Sequence, residues 1–384
     1  VGNGNRNLAR NAKPIKMKTR FLSLDILRGI TLACMILVNT SGNGDFTYSL
    51  LQHANWHGFT PTDLVFPTFL FMVGVAMRFS FKSFNYSLTP RVRTKIIRRT
   101  ILLFLINYLI FYFPFTDFSF EKLRFLNVLP RIALSYCAVS FITLSVPANW
   151  LTRINILILL VYWAIMYIFG DSGVPYELSS NAVLKLDLFL FGPDHLYHGN
   201  GIPFDPEGLL STLPAISTCL LGYQASMFLE KQQAINKSPL TNLLIYGLIL
   251  ISLALIWDKA FPINKKLWTS SFVLLCAGID FILIGLLSWW IETKENTFAN
   301  KFFLVFGTNS ILAYAVSEVL AIQMGNISIA EGNGQIGLND WIYWHIFEPV
   351  FGKFNGSLAF AISFVLVCWI ICYVFYRKKW FLKV

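Results

Sequence analysis

Residues 25 to 74 read DILRGITLACMILVNTSGNGDFTYSLLQHANWHGFTPTDLVFPTFLFMVG, and several of their side chains could do chemistry. His53 and His57 stand four apart, Asp63 follows them and Asn39 precedes them. An imidazole exchanges protons near neutral pH, and a carboxylate or amide can orient it, so His53 is a candidate general base. H-x3-H is also a metal-pair spacing, and a solvated loop with idle histidines is the bland alternative. Asp25 and Arg28 are helix neighbours three apart. Asn39 lies eleven residues beyond Arg28, close to three whole turns and about 16 Å along a helix axis. Those three residues share a face. The stripe is open between a lining for a substrate or cofactor channel and an ion pair plus an amide joining two helices.

Other candidates lie further along. DHLYHGNGIPFDPEG places Asp194, His195, His198, Asp205 and Glu207 on one loop. Sugar or cation binding competes there with turn chemistry around Gly and Pro. Arg131 follows Pro130 inside an apolar run, where it could pair with an acid or hold a phosphate. Ser310, Tyr314, Ser317 and Glu318 form one polar helix face. Asp280 sits deep in an apolar stretch.

The elements that position these residues are set by composition. The chain has 384 residues, 55% hydrophobic and 13% charged, with a mean hydropathy of +0.59. Each membrane span needs about 20 mostly apolar residues, so one polytopic all-α bundle in a lipid bilayer is expected rather than two soluble domains. The net charge of +11 does not point to nucleic acid, because the basic residues collect in alternate loops instead of mixing with aromatics on one face. That is the positive-inside pattern. All six cysteines fall in apolar stretches, so no disulfide is expected. The first apolar stretch contains Arg28 and lacks a small-residue cleavage site, so it reads as a retained span.

About ten transmembrane helices are expected, near 23–41, 62–81, 98–114, 127–146, 152–169, 209–229, 240–257, 269–290, 302–323 and 355–376. Both termini are then cytoplasmic. The loops 42–61, 115–126, 170–208, 258–268 and 324–354 are external, and within the last WIYWHIFEPVFG reads as an interfacial or re-entrant helix. Residues 1–20 read as a basic cytoplasmic arm, of which 1–16 precede Met17 and read as an extension. Residues 21–384 form a single transmembrane domain whose longest external loop is 170–208. No repeat relates the two halves.

The ordered pieces DxxRGI (25–30), VN (38–39), HANWHGFTPTDLVFPTFLFMVG (53–74), LPR (129–131) and GPDHLY (192–197) resemble the heparan-α-glucosaminide N-acetyltransferase family and its bacterial relatives. FDPEGLLST (204–212), PINKKLW (262–268), TNSILAY (308–314) and YRKK (376–379) continue the match. The resemblance implies transfer of acetyl from cytoplasmic acetyl-CoA to the amine of a glucosamine-type sugar on the far side. It also implies a homodimer and, for the bacterial branch, the inner membrane. The family's histidine matches His53, its amide Asn39 and its carboxylate Asp63. Where His57 stands the family tolerates Asn, which argues against a shared metal pair. Arg28, Arg131, Lys265, Trp268, Asn309 and Ser310 are then candidates for the acetyl-CoA path. Asp194, His195, Asp205 and Glu207 are candidates for the sugar. No metal is expected. Direct transfer and an acetyl-histidine intermediate stay open. A transporter using Arg28, Asp280 and Glu318, or a metal-dependent hydrolase using His53, His57, Asp63, His195 and His198, are the competing functions.

Overall fold

The structure, a computed structural model, describes residues 21–115, 119–234, 239–294, 300–332 and 334–382. The expected basic arm, 1–20, lies outside the described residues. The first helices are α1 (Leu22–Asn39), α2 (Val65–Lys82), α3 (Pro90–Tyr112), α4 (Val128–Ser145) and α5 (Leu151–Phe169). Then come α6 (Ala182–Phe191), α7 (Thr212–Ala234), α8 (Leu240–Asp258), α9 (Ser270–Leu287), α10 (Asn300–Thr308) and α11 (Ser310–Asn326). The chain ends with α12 (Leu338–Ile342), α13 (Glu348–Phe351) and α14 (Lys353–Arg377). A small antiparallel hairpin, β1 (Ser328–Glu331) and β2 (Gly334–Gly337), links α11 to α12.

Among the described residues, seven helices are long and apolar enough to cross a membrane, or eight if the α10–α11 pair counts as one span. The fold is therefore a mostly helical, multi-pass bundle. Each of the ten expected segments is helical. Two of them, α3 and α7, carry more polar residues than the rest. The first turns of α3 hold Arg91, Arg93, Lys95 and Arg98, and α7 is interrupted by Ser217, Thr218, Gln224 and Ser226. The ninth segment, expected to be one straight span, is bent by 86° between Thr308 and Ser310.

Close backbone contact holds the centre together. A Cβ at Gly74 of α2 would lie 1.8 Å from the Cys219 carbonyl oxygen, and one at Gly222 of α7 would lie 1.9 Å from that of Phe71. Gly29 and Gly307 make the same reciprocal crossing between α1 and α10. Small residues at such crossings let two backbones approach, which is how helices gain dispersion energy where no hydrophobic drive exists. In α9, apolar on every side, most residues are buried, whereas α8 turns Ile245, Leu248, Leu253 and Ile256 outward.

The 170–208 segment is not an irregular loop. Asn181 caps α6 by accepting from the Leu184 N–H at 2.8 Å, and Gly192, at φ 76°, ends it. An Asn before an apolar run and a Gly after it are ordinary helix signals, but the surrounding Pro and Gly residues hid them. The helix packs Val183 and Leu184 against Tyr162, Phe204 and Phe261. The aromatic segment near 341–351 is helical, as expected, and Gly352 at φ 75° turns it into α14.

Candidate functional site

Asp63 is placed by purely local chemistry. Thr60-Pro61-Thr62-Asp63 forms a helical turn with a capping box between Thr60 and Asp63. One carboxylate oxygen, Oδ2, accepts from the Thr60 N–H (3.0 Å), the Thr60 hydroxyl (3.1 Å) and the Ala54 N–H (3.2 Å). The other, Oδ1, faces the imidazole of His53, whose Nδ1 donates to it at 2.7 Å. Asp63 is fully buried, while the His53 side chain is 43% exposed. That pairing points the Nδ1 proton at Asp63 and leaves Nε2 as the candidate base nitrogen.

A second loop closes over this dyad. Between α8 and α9, Asn264 accepts from the Leu267 N–H (2.9 Å), and its own N–H donates to Thr269 Oγ1 (3.0 Å). The Gly58 N–H reaches the Ile263 carbonyl at 2.8 Å and ties the two loops. Lys265 then puts its ammonium 3.1 Å from Nδ1 and 3.2 Å from Nε2 of His53, and 3.8 Å from Asp63 Oδ1. Burial pushes Lys265 below the usual lysine range, opposed by Asp63 and Glu207, which favour its charged form. Lys266 bonds the Asn55 carbonyl (3.0 Å) and Asn200 Oδ1 (2.6 Å). Trp268, with φ at 53°, turns its indole N–H onto Thr218 Oγ1 at 3.1 Å.

His53, Asp63, Lys265 and Trp268 line one cavity of about 560 Å³. Asn39, at the end of α1, lines it too, so the three residues expected to be catalytic come together. Glu207 is the one sugar candidate on its wall. It accepts from Arg124 Nη2 at 2.7 Å, and the same guanidinium grips Asp205 through Nε and Nη2, both at 2.7 Å. Burial raises the Asp205 carboxyl against the pull of Arg124, while the two acids hold Arg124 above its ordinary value. Asp205 thus braces the wall rather than facing the cavity. Asp194 and His195 do not reach the cavity: Asp194 is exposed, and His195 Nδ1 donates to the Leu123 carbonyl at 2.8 Å beside the Phe125 ring. The sequence reading missed Arg124, Tyr197 and Lys266 on this wall.

A second cavity, of about 260 Å³, opens at the α10–α11 bend. Arg28, Arg99, Asn309 and Ser310 line it, and Tyr314 belongs to both cavities. Arg28 donates to Asp25 Oδ1 and to the Gly307 carbonyl, both at 3.2 Å. Asn309 donates to the Trp380 carbonyl (2.9 Å) and accepts from the Leu382 N–H (3.1 Å), which fastens the C-terminal residues beside the cavity. The α1 stripe therefore does run past two cavities, with Arg28 at one and Asn39 at the other.

The acetyl-CoA candidates divide between these cavities, with one exception. Arg131 lines neither. It is fully buried, its guanidinium 4.9 Å from the Trp268 ring, and it donates to Ser211 Oγ and to the Gly208 carbonyl. The same carbonyl region abuts Asp187 of α6, whose carboxyl burial pushes up to about 7, opposed by the Leu209 N–H. The histidines of the hydrolase reading do not converge. His57 pairs with Glu177 (3.5 Å) and Asn264 (3.4 Å), and His198 turns to the Pro193 carbonyl.

The dyad, the amide and the Lys265 ammonium thus border one cavity. Residues 20–237 match the family model described as heparan-alpha-glucosaminide N-acetyltransferase, catalytic. The chain is 28% identical over 354 residues to the heparan-alpha-glucosaminide N-acetyltransferase of Homo sapiens, covering 78% of this chain and 53% of that protein. With the Mus musculus protein of the same name it is 27% identical over 355 residues, covering 78% and 54%. It spans about half the length of these curated relatives. The match over more than half of the chain places it in the heparan-alpha-glucosaminide N-acetyltransferase catalytic family.

Proposed function

We propose that this chain is a membrane N-acetyltransferase that moves acetyl from acetyl-CoA to the amine of a glucosamine-type sugar. The observation that carries the reading is the His53–Asp63 pair, at 2.7 Å, on the wall of the cavity shared with Asn39 and Lys265. An amino sugar must present a neutral amine to attack a thioester. His53 Nε2 takes the amine's proton as the N–C bond forms and the C–S bond breaks. It then gives that proton to the leaving thiolate. Asn39 lies where its amide can bond the acetyl or amine group. Glu207 offers a carboxylate to the amine N–H and the sugar hydroxyls.

The donor occupies the second cavity and reaches the first past Tyr314. Arg28, Arg99 and the N-terminus of α11 favour its anionic parts there. In this reading about ten helices cross the bilayer, both termini are cytoplasmic, and the His53 cavity opens outside. The basic residues of α3 and of the chain end support that orientation. The bacterial inner membrane and a homodimer follow from the family resemblance alone.

The test is transfer of labelled acetyl from acetyl-CoA to glucosamine by the purified chain. Wild type should form N-acetylglucosamine, and His53→Ala should lose about 10²–10⁴-fold in kcat while still binding acetyl-CoA. Equal activity in the variant would remove His53 as the base. Labelling of His53 by acetyl-CoA alone would replace direct transfer by the covalent route.

A further inference from the structure

We infer that Lys265 is a catalytic residue whose ammonium takes the negative charge that develops on the thioester carbonyl oxygen. The inference rests on the acetyltransferase reading and deepens it. In the tetrahedral intermediate the amine nitrogen and the carbonyl oxygen are bound to one carbon. The protein groups that meet them must therefore be neighbours. His53 Nε2 meets the amine, and Lys265 Nζ lies 3.2 Å from that nitrogen. An oxyanion donor stands about 2.7–3.1 Å from the oxygen it stabilises, and a flexible lysine ammonium beside the base can meet that requirement.

Other cations on the wall are committed elsewhere. Lys266 is held by Asn55 and Asn200, and Arg124 is held by Asp205 and Glu207. Lys265 is held by the base itself. Its ammonium lies against the His53 ring, 3.1 Å from Nδ1 and 3.2 Å from Nε2, while the Nδ1 proton points to Asp63. When Nε2 takes the amine's proton, the ring becomes cationic and two positive charges face each other. The ammonium is released when the oxyanion appears. Asp63, at 3.8 Å, favours its charged form against the burial that opposes it. Proton uptake and charge stabilisation are thus coupled through one side chain. The balance is complete: the N–C bond forms and the C–S bond breaks. The proton passes from amine to Nε2 to thiolate, and Lys265 keeps its own protons throughout.

Lys265→Met and Lys265→Arg in the full chain, assayed with acetyl-CoA and glucosamine, test this. Lys265→Met should lower kcat about 10²–10³-fold, the usual loss for one oxyanion donor. Its dissociation constant for acetyl-CoA, read by ligand-induced thermal stabilisation, should change less than about threefold. Lys265→Arg keeps the charge and should recover at least about tenfold of the loss. A Lys265→Met chain with unchanged kcat, or one whose whole defect is weaker acetyl-CoA binding, overturns the inference and leaves the function standing. Recovery by Arg of folding without recovery of kcat assigns Lys265 to structure and also overturns it. A wild-type chain that moves no acetyl group overturns the function and this inference with it.

Discussion

The cavity under the His53 hairpin and the cavity at the α10–α11 bend are built by different means. In the first, nearly every polar side chain is held by another. Asp63 is fixed by two bonds to the turn it caps and one from the Ala54 N–H, and His53 by Asp63. Arg124 spans two acids. Such bracing removes rotamer freedom before substrate arrives, which is what positioned proton transfer requires. In the second cavity Arg28 is shared between the Asp25 carboxylate and a backbone carbonyl, and Arg99 lies over the Tyr136 ring. Arg28 rests on the carbonyl at the end of α10, and Asn309 on the C-terminal residues. The bend leaves the first turn of α11 facing the space. That arrangement supplies positive potential without a fixed geometry, which suits binding more than bond making. In the proposed function, chemistry belongs to the first cavity and donor affinity to the second.

The largest expected effect lies in the braced cavity. Asp63→Asn replaces an acceptor pair by an amide that can donate to Nδ1, and the base nitrogen is then misassigned. We expect kcat to fall about 10²-fold or more with acetyl-CoA affinity nearly unchanged. Steady-state kinetics beside a direct binding measurement reads both. A variant that loses donor affinity and keeps kcat would erase the division between the cavities.

A smaller and opposite change is expected at the bend. Arg28→Ala should weaken acetyl-CoA binding about tenfold, or about 1.4 kcal/mol, with kcat within about threefold. Arg28→Lys should keep part of the affinity, since a point charge remains but the planar fork is lost. If Arg28→Ala lowers kcat at saturating donor instead, the second cavity takes part in the chemistry.

The braced cavity was more legible in the sequence than the bend. His53 and Asp63 are ten residues apart, and T-x-x-D is a local capping signal, so their meeting needs only a hairpin. Arg124 was invisible because its partners lie 81 and 83 residues away, and no local pattern announces such a pairing. Arg131 misled in the other direction. A cation in an apolar run suggests a ligand, but the chain wraps it with Trp268, Ser211 and the Gly208 carbonyl. The α10–α11 break escaped because the apolar runs on both sides were read as one span, although Gly307 and the polar Thr308-Asn309-Ser310 interrupt them. Helix periodicity did place Arg28 and Asn39 on one face, and Tyr314 with Glu318. Those faces now line cavities.

The smallest expected effect sharpens the edge of the braced cavity. His57 is four residues from His53, and the sequence pieces favoured His53 because the family tolerates Asn at position 57. The fold separates them. His53 faces Asp63 and the cavity, whereas His57 turns to Glu177 and Asn264 and is absent from the lining. Glu177 is itself more than half exposed, and a solvated ion pair contributes at most about 1 kcal/mol. His57→Ala should therefore keep kcat and acetyl-CoA affinity within about threefold, with a slightly lower melting temperature. Paired kinetics on His53→Ala and His57→Ala make the decisive reading. A His57→Ala chain as impaired as His53→Ala would mean that the two histidines act together, and the proton would have to leave through Asn264 and Glu177 rather than stay at Nε2 of His53.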